Sequence, residues 1–377
     1  MHYVVIKNYK ILEMRTCRLI KSTRRAVATR APPPIPNFAT LGFSSTPTKS
    51  MVRADHDGSK WSSLNLTTNF EFKIHPLSNV LHYGQGIFEG LKVFHCKDGK
   101  VRIFNSGANA ARMKSGCERL YMPIVSPEMF DEALDKVVID NLDYIPPYGY
   151  QGAMYLRPVL FGHGEKLGLG PAPEYTFAVI AAPVGPYYKG NLEAIDAWVS
   201  SEFDRAAPRG VGAIKCAGNY APDVMPAIKA KELGYPVVLY LDAKEQKYVE
   251  EFSTSNFLGV TKDGTLLAPS SPSILPSCTK AVVLRVARDM GLRVEERPVS
   301  WEELGSLREV AACGTAVVLT PIKTITRGSA VLKYEGFDTI AELYSRVTAI
   351  QTGEAEDPYG IVRVVADKPH DSEAPKL

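Results

Sequence analysis

Two long apolar runs constrain the fold of this chain more than any other feature of its sequence. TFAVIAAPV at 176–184 and VAACGTAVVLTPI at 310–322 contain no charged residue and several β-branched ones. Such runs are typical of buried strands. Helical and strand patterns alternate around both runs, so the sequence predicts a mixed α/β (α+β) fold with a core in each half.

The clearest helix signal lies in the first half of the chain. Ser126 and Pro127 suit an N-cap and a first helical position. The helix that follows, to about residue 142, carries one apolar face made of Phe130, Leu134, Val137 and Val138. Further helices are predicted at about 279–290 and 337–349, and further strands at 101–104, 236–242 and 248–260.

The chain is long enough for two domains, since 377 residues can enclose two cores. GPYYKGN at 185–191 is punctuated by Gly and Pro and follows a predicted strand, which suits a linker. We therefore predict a targeting segment or disordered head at 1–50, a small N-terminal α/β domain at 51–184, an interdomain linker at 185–193, a large C-terminal domain at 194–367 and a frayed tail at 368–377.

The net charge of +3 hides an uneven distribution. Residues 1–50 hold nine of the 44 basic residues and only one of the 41 acidic ones, which leaves a net charge of −5 for the rest. A basic, acid-poor head that contains Ser and Thr predicts a mitochondrial transit peptide and a place in the matrix, with a cytoplasmic protein as the alternative. The mildly acidic body shows no basic stripe, so nucleic acid is not an expected partner.

Cysteine and histidine patterns give no metal signature. The six cysteines form no CxxC pair, and the seven histidines form no HExxH motif. We expect a reduced intracellular protein without a structural metal. No apolar run approaches the roughly 20 residues that span a bilayer, so no membrane partner is expected either.

The sequence also lacks the common nucleotide-binding and hydrolase motifs. Pattern analysis alone therefore predicts only a two-domain α/β protein. Seven ordered segments go further, because together they resemble the branched-chain amino acid aminotransferases, which are fold-type IV enzymes that use pyridoxal 5'-phosphate (PLP). The resemblance covers about 60–360. The segments are LHYGQGIFEGLKVF (81–94), NAARMKSGCERLYMP (109–123), YLRPVLFG (155–162), AIKCAGNYAP (213–222), VEEFSTSNFLGV (249–260), SILPSCTK (273–280) and ACGTAVVLTP (312–321).

The resemblance assigns a role to each cofactor-binding position. It also implies that the large C-terminal domain at 194–367 is the PLP-binding domain. Lys215 matches the lysine that condenses with the cofactor aldehyde and later moves a proton. Glu251 matches the carboxylate that faces the pyridine nitrogen, and Tyr220 matches the hydrogen-bond partner of the phenolate oxygen. The matched phosphate contacts are Arg112, Cys278 and Thr279 at the start of a helix, and Thr315.

The resemblance also implies a pocket that accepts both an aliphatic side chain and the γ-carboxylate of glutamate. Arg157 matches the ligand of that carboxylate, and Ala316 belongs to the turn that matches the α-carboxylate site. The remaining matched substrate contacts are Tyr83, Phe88, Tyr155, Tyr187 and Thr254. Taken singly, each of these residues is equally compatible with a solvated charge or with core packing.

The implied function is transfer of an amino group between L-leucine, L-isoleucine or L-valine and 2-oxoglutarate by a homodimer. Three alternatives stay open. The chain can be another fold-type IV enzyme, such as a D-amino acid aminotransferase or an aminodeoxychorismate lyase. It can be a paralogue of specialised metabolism with a shifted substrate, or a catalytically silent binding protein.

Three positions depart from the family pattern. Ser277 stands where a glycine usually precedes the phosphate-binding amides, Ile361 replaces a tryptophan after Gly360, and Val317 replaces a cysteine found in some mammalian relatives. We expect these changes to affect substrate preference and to leave the chemistry intact.

Overall fold

The structure, a computed structural model, describes residues 31–185 and 192–368. Its helices are α1 (Asn79–Tyr83), α2 (Ser106–Arg119), α3 (Pro127–Asp140), α4 (Val224–Glu232), α5 (Cys278–Asp289) and α6 (Asp338–Thr352). Its strands are β1 (Met51–His56), β2 (Asn65–Thr67), β3 (Gly86–Phe88), β4 (Leu91–His95), β5 (Lys100–Phe104), β6 (Ala153–His163), β7 (Glu174–Val184), β8 (Ile195–Val199), β9 (Val237–Leu241), β10 (Val249–Phe252), β11 (Asn256–Thr261), β12 (Leu266–Pro269), β13 (Val294–Arg297), β14 (Leu307–Gly314), β15 (Val318–Arg327), β16 (Ala330–Lys333) and β17 (Val362–Asp367).

The first sheet has the order β17-β5-β4-β6-β7-β1-β2, and β3 also pairs with β6. Helix α3 packs on β7 and β1. Its N-cap Ser126 accepts a hydrogen bond from Met129 N at 3.2 Å. The four residues of its predicted apolar face are all fully buried. The helix at 126–142 and the strands at 101–104 and 176–184 are therefore confirmed.

The second sheet has the order β10-β9-β8-β15-β14-β11-β12-β13, with β16 paired to β15. Helices α5 and α6 pack on each other and against β14, where their apolar faces share one buried cluster with the sheet. The run at 310–322 forms most of the β14–β15 hairpin, as predicted. Helices and strands thus alternate in both halves, which confirms the mixed α/β prediction.

The prediction of one strand at 248–260 is wrong, because the chain reverses in the middle of it. Residues 253–255 form a turn in which Phe252 N donates to Ser255 O at 2.8 Å. Serine and threonine favour such turns since their hydroxyl groups compete for backbone hydrogen bonds. The reversal sets Glu251 directly opposite Asn256 in the β10–β11 pair.

Two predicted boundaries also need correction. Strand β17 falls within the predicted C-terminal domain, but it pairs with β5 at the edge of the first sheet. Residues 31–50 fall within the predicted head, but Thr48 and Ser50 are buried and Thr48 Oγ1 donates to Ala181 O at 2.9 Å. The last residues of the predicted head are therefore packed against β7. Most of the predicted linker, 186–191, lies outside the described residues.

The first sheet carries β1–β7 and the second carries β8–β16, so a two-domain division with a boundary near residue 190 remains our proposal. Within the described residues, no helix combines the length and apolar character needed to cross a membrane. The same residues contain no cluster of histidine, cysteine and acidic side chains arranged to hold a metal ion.

Candidate active site

Lys215 lies in the loop between β8 and α4, and that loop is attached to β3. Phe88 N donates to the Lys215 carbonyl at 3.1 Å, and Cys216 forms a β-bridge with Ile87. The side chain turns inward, where Lys215 Nζ donates to Tyr220 Oη at 2.9 Å. Nζ also lies 4.8 Å from the centre of the Phe88 ring. Three predicted site residues from two sequence segments therefore meet at one amine.

The surroundings of this amine favour its neutral form. Burial lowers the pKa of Lys215 to about 8, and the positive charge of Arg112 adds to the effect. A lysine with an unshifted pKa would be almost wholly protonated near neutral pH. Lys215 instead offers an appreciable fraction of unprotonated amine, which is the form that attacks an aldehyde.

Glu251 has three polar partners at the β10–β11 reversal. Its Oε1 forms an ion pair with Arg205 Nη2 at 2.7 Å and accepts a hydrogen bond from Leu275 N at 2.8 Å, and its Oε2 accepts from Asn256 Nδ2 at 3.0 Å. Burial raises the pKa of Glu251 to about 7, although the Arg205 guanidinium opposes that shift. Such a carboxyl is matched to share a proton with a pyridine nitrogen.

Glu250 serves a different network from its neighbour, as expected for adjacent strand residues. Its Oε1 accepts from Ser271 Oγ at 3.2 Å and from Ser273 Oγ. Burial raises the pKa of Glu250. The two serines belong to the loop whose Leu275 amide holds Glu251, so Glu250 helps to fix the loop that supports its neighbour.

Arg112 lies beside the start of α5, where the resemblance places the phosphate. Its Nη1 donates to Pro276 O at 2.8 Å, one residue before the N-cap of that helix. Cys278 and Thr279 form the first turn, whose backbone N–H groups have no partner within the helix. Burial raises the pKa of the Cys278 thiol to about 11, so the thiol adds no negative charge there.

Ser277 fills its position without strain. Its φ of −81° lies outside the left-handed region, so a glycine is not required. Its side chain accepts a hydrogen bond from Lys280 N at 3.0 Å and caps α5. Ile361 is half-buried against the apolar cluster that α5 and α6 form with the second sheet, and its carbonyl accepts a hydrogen bond from Asn105 N at 2.7 Å. Both departures are thus accommodated by the fold.

Two turns of the second sheet lie side by side. Thr315 and Ala316 occupy the β14–β15 turn, and Thr254 occupies the β10–β11 turn. A Cβ on Gly314 would lie 3.6 Å from Thr254 O, which shows how closely the turns approach. Lys92 Nζ donates to Ala316 O at 2.8 Å and ties this region to β4. A cavity of about 440 Å³ opens beside Lys92 and Ala316.

Arg157 projects among aromatic rings. Its guanidinium lies 4.9 Å from the centre of the Phe88 ring and 5.3 Å from that of Tyr155, and Nη2 donates to Tyr155 Oη at 3.3 Å. Among the described residues, no carboxylate forms an ion pair with Arg157, and its buried Nε has no hydrogen-bond partner. Tyr155 Oη needs Gly90 beside it, since a Cβ there would lie 2.0 Å away.

One predicted substrate residue, Tyr83, is not brought to this site. Tyr83 is 43% exposed and its hydroxyl group donates to Leu167 O, on a surface formed by α1 and the loop before β7. Tyr187 lies outside the described residues. The other predicted residues gather around Lys215, Arg112 and the two adjacent turns.

Four residues that contact the site were missed in the sequence. Glu89 pairs with Arg112, Arg205 and Asn256 hold Glu251, and the Phe43 ring packs edge-on against Tyr155 at 5.2 Å. An acid inside the apolar segment 81–94 was a usable signal for Glu89. Phe43 gave none, because it lies in the segment assigned to the head.

Comparison with known proteins places this arrangement in a family. The model of the "Amino-transferase class IV" family matches residues 86–325. The branched-chain-amino-acid aminotransferase of Haemophilus influenzae is 42% identical over 338 residues, which are 86% of this chain and 97% of that protein.

Solved structures agree. The branched-chain amino acid aminotransferase of Escherichia coli has a TM-score of 0.69 at 27% identity, over 78% of this chain and 94% of its own. A second branched-chain amino acid aminotransferase, solved in complex with N-(5'-phosphopyridoxyl)-L-glutamate, has a TM-score of 0.68 at 25% identity, over 84% and 99% of the two chains.

The buried amine, the buried carboxyl and the arginine beside a helix N-terminus fit the aldehyde, ring nitrogen and phosphate of PLP. PLP is the cofactor of class IV aminotransferases, which confirms the cofactor that the sequence implied. This chain therefore belongs to the class IV aminotransferases, within the branched-chain-amino-acid aminotransferase family and its fold-type IV architecture.

Proposed function

We propose that this chain exchanges the amino group of L-leucine, L-isoleucine or L-valine with 2-oxoglutarate, giving a branched 2-oxo acid and L-glutamate. The observation that carries the proposal is Arg157. It is a guanidinium without a carboxylate partner in the described residues, set between two aromatic rings. One wall thus offers apolar surface to an aliphatic side chain and a cation to a γ-carboxylate.

Different residues of the chain would bind the cofactor and transfer the proton of the amino acid. When bound, PLP draws electrons from the Cα of the amino acid and makes its hydrogen acidic. Lys215 Nζ, with its lowered pKa, takes up and returns that proton. Glu251 would keep a proton on the ring nitrogen, and Tyr220 would donate a hydrogen bond to the phenolate oxygen.

We propose that three groups bind the phosphate of the cofactor: the backbone amides of the first turn of α5, Arg112 and Thr315. Phe88 and Tyr155 exclude water from the aliphatic side chain. Arg157 binds the γ-carboxylate of glutamate and 2-oxoglutarate, to which it donates hydrogen bonds, in the second half-reaction. The two half-reactions share one pocket, so one product must leave before the second substrate enters.

Replacing Arg157 separates the two substrate types. For Arg157→Met we expect kcat/KM for L-glutamate and 2-oxoglutarate to fall about 10- to 100-fold, because a charge-assisted hydrogen bond is lost. The half-reaction with L-leucine should stay within about threefold. The measurement is single-turnover conversion of L-leucine, L-glutamate and D-alanine by the PLP-loaded enzyme, and of 2-oxoglutarate by the enzyme loaded with pyridoxamine 5'-phosphate.

Arg119→Met is the matched control, since Arg119 is exposed and lies two turns beyond Arg112 on α2. It should leave every rate unchanged. Equal losses for leucine and glutamate in Arg157→Met would contradict the assigned role. Turnover of D-alanine without L-leucine would instead support the D-amino acid alternative.

We also propose a homodimer, because an apolar patch lies exposed on the first sheet's loops. Tyr83, Tyr121, Leu167 and Leu169 make up this patch, and Leu169 and Tyr121 are 84% and 77% exposed. Tyr83, Tyr121 and Leu169 line one cavity of about 550 Å³. Contiguous exposed apolar groups are typical of protein interfaces. Tyr83, which the resemblance assigns to substrate lining, could reach a site only across such an interface.

Charges placed on the patch should dissociate the dimer. The double variant Tyr121→Asp and Leu169→Asp is expected to sediment as a monomer at concentrations where the wild type is a dimer, because two carboxylates would be buried without partners. Ile139→Asp, on the exposed face of α3, is the control and should stay dimeric. A double variant that remains dimeric would exclude this surface as the interface.

We further propose that the basic head directs the protein to the mitochondrial matrix and is removed. Tyr144 Oη donates to Pro33 O and Thr48 is buried, so residues from about 33 onward belong to the folded unit. Cleavage is therefore expected before residue 33. N-terminal sequencing of the protein from the mitochondrial fraction tests this. An intact Met1 on a cytosolic protein would contradict it.

A further inference from the structure

Glu89 is a buried carboxylate that the proposed chemistry does not use. Its side chain is 1% exposed. Glu89 N donates to Pro158 O at 2.8 Å, and the preceding amide, Phe88 N, donates to the Lys215 carbonyl. The backbone that carries this carboxylate is therefore fixed on one side by β6 and on the other by the lysine loop.

The carboxylate grips Arg112 with both oxygens. Arg112 Nε donates to Glu89 Oε1 at 2.8 Å, and Nη2 donates to Glu89 Oε2 at 2.6 Å. Two further donors hold the carboxylate, namely Asn109 Nδ2 at 2.8 Å and Gly90 N at 3.3 Å from Oε2. A fork-to-fork pair of this kind fixes the plane of the guanidinium as well as its position.

The remaining donors of Arg112 follow from this geometry. A guanidinium has five N–H groups. Glu89 takes two of them and Pro276 O takes one on Nη1. One N–H on Nη1 and one on Nη2 remain for another acceptor, and Nη1 already contacts the residue before the N-cap of α5. An anion there would meet two directed donors rather than a mobile cation.

Charge leads to the same conclusion. Arg112 lies close enough to Lys215 for its positive charge to lower the pKa of that amine. Glu89 is the carboxylate that pairs with Arg112, and a buried cation without such a partner is strongly unfavourable. With Glu89 absent, Arg112 would gain by turning toward solvent.

We propose that Glu89 is the positioning residue that orients Arg112 toward the phosphate of the cofactor. The proposal rests on the assignment of Arg112 as the phosphate ligand. It predicts that Glu89 acts only through the phosphate and makes no contribution to the hold on the pyridine ring.

Comparing PLP with pyridoxal, which has no phosphate, tests this directly. We titrate each compound into the apoprotein and measure its dissociation constant. For Glu89→Gln we expect the dissociation constant of PLP to rise about 10- to 100-fold, because hydrogen bonds to charged groups are lost. That of pyridoxal should stay within about threefold. A merely structural role for Glu89 would weaken both compounds alike.

Asn109→Ala provides a second variant that changes neither charge. It removes one donor from Glu89 Oε2 and should weaken PLP about 3- to 10-fold, again without affecting pyridoxal. Glu309→Gln is the matched control, because Glu309 is an equally buried carboxylate paired with Arg308 at 2.8 Å far from Arg112 in sequence. It should lower the melting temperature of the apoprotein and leave both dissociation constants unchanged.

The outcomes separate this inference from the proposed function. Preference for PLP over pyridoxal in the wild type and an equal preference in Glu89→Gln and Asn109→Ala would overturn the role of Glu89 alone. No preference in the wild type would overturn the assignment of Arg112 and the inference with it. Selective loss for PLP in either variant, with Glu309→Gln unaffected, supports the inference.

Discussion

The protonation states and ion pairs of this site depend on the removal of water from a set of charged side chains. Lys215, Arg112, Glu89, Arg205 and Glu251 lie buried near one another, and an isolated ion in such a place is very costly. Two carboxylate–guanidinium pairs offset most of that cost. Among the described residues, Lys215 Nζ has only the Tyr220 hydroxyl group as its hydrogen-bond partner, so its pKa falls and the amine becomes a nucleophile.

Ion pairing also distinguishes two kinds of cation in this region. Arg112 and Arg205 each contact a carboxylate at less than 3 Å, which fixes the position of their guanidinium groups. Arg157 and Lys92 are different, because within the described part of the chain neither forms an ion pair with an acid. Burial lowers the pKa of Lys92 to about 8, and its amine donates to Ala316 O. Both side chains could therefore bind an anionic group, Arg157 beside Phe88 and Tyr155 and Lys92 beside Ala316.

Helices and strands could be predicted from the sequence patterns more reliably than the contacts between those elements could. The apolar face of α3 and the runs at 176–184 and 310–322 were recognisable because periodicity reports burial directly. The turn at 253–255 was missed because the apolar pattern continues through it, and only tertiary pairing shows that Glu251 and Asn256 face each other. The family resemblance supplied Lys215, Glu251 and Arg112. Their partners Glu89 and Arg205 escaped because buried ion pairs join distant segments, and Phe43 escaped because its packed segment resembles the head in composition.

The pH dependence of PLP attachment to the apoprotein tests the central claim most directly. Apoprotein is mixed with PLP at a series of pH values, the product is trapped with borohydride, and the modified peptide is identified, with Lys215→Ala as the blank. Below its pKa the amine is protonated and unreactive, so the rate of labelling at Lys215 should rise about tenfold per pH unit and level off near pH 8. A rate that keeps rising toward the ordinary lysine pKa of 10.5, or labelling that persists in Lys215→Ala, would contradict a desolvated lysine at the centre of this site.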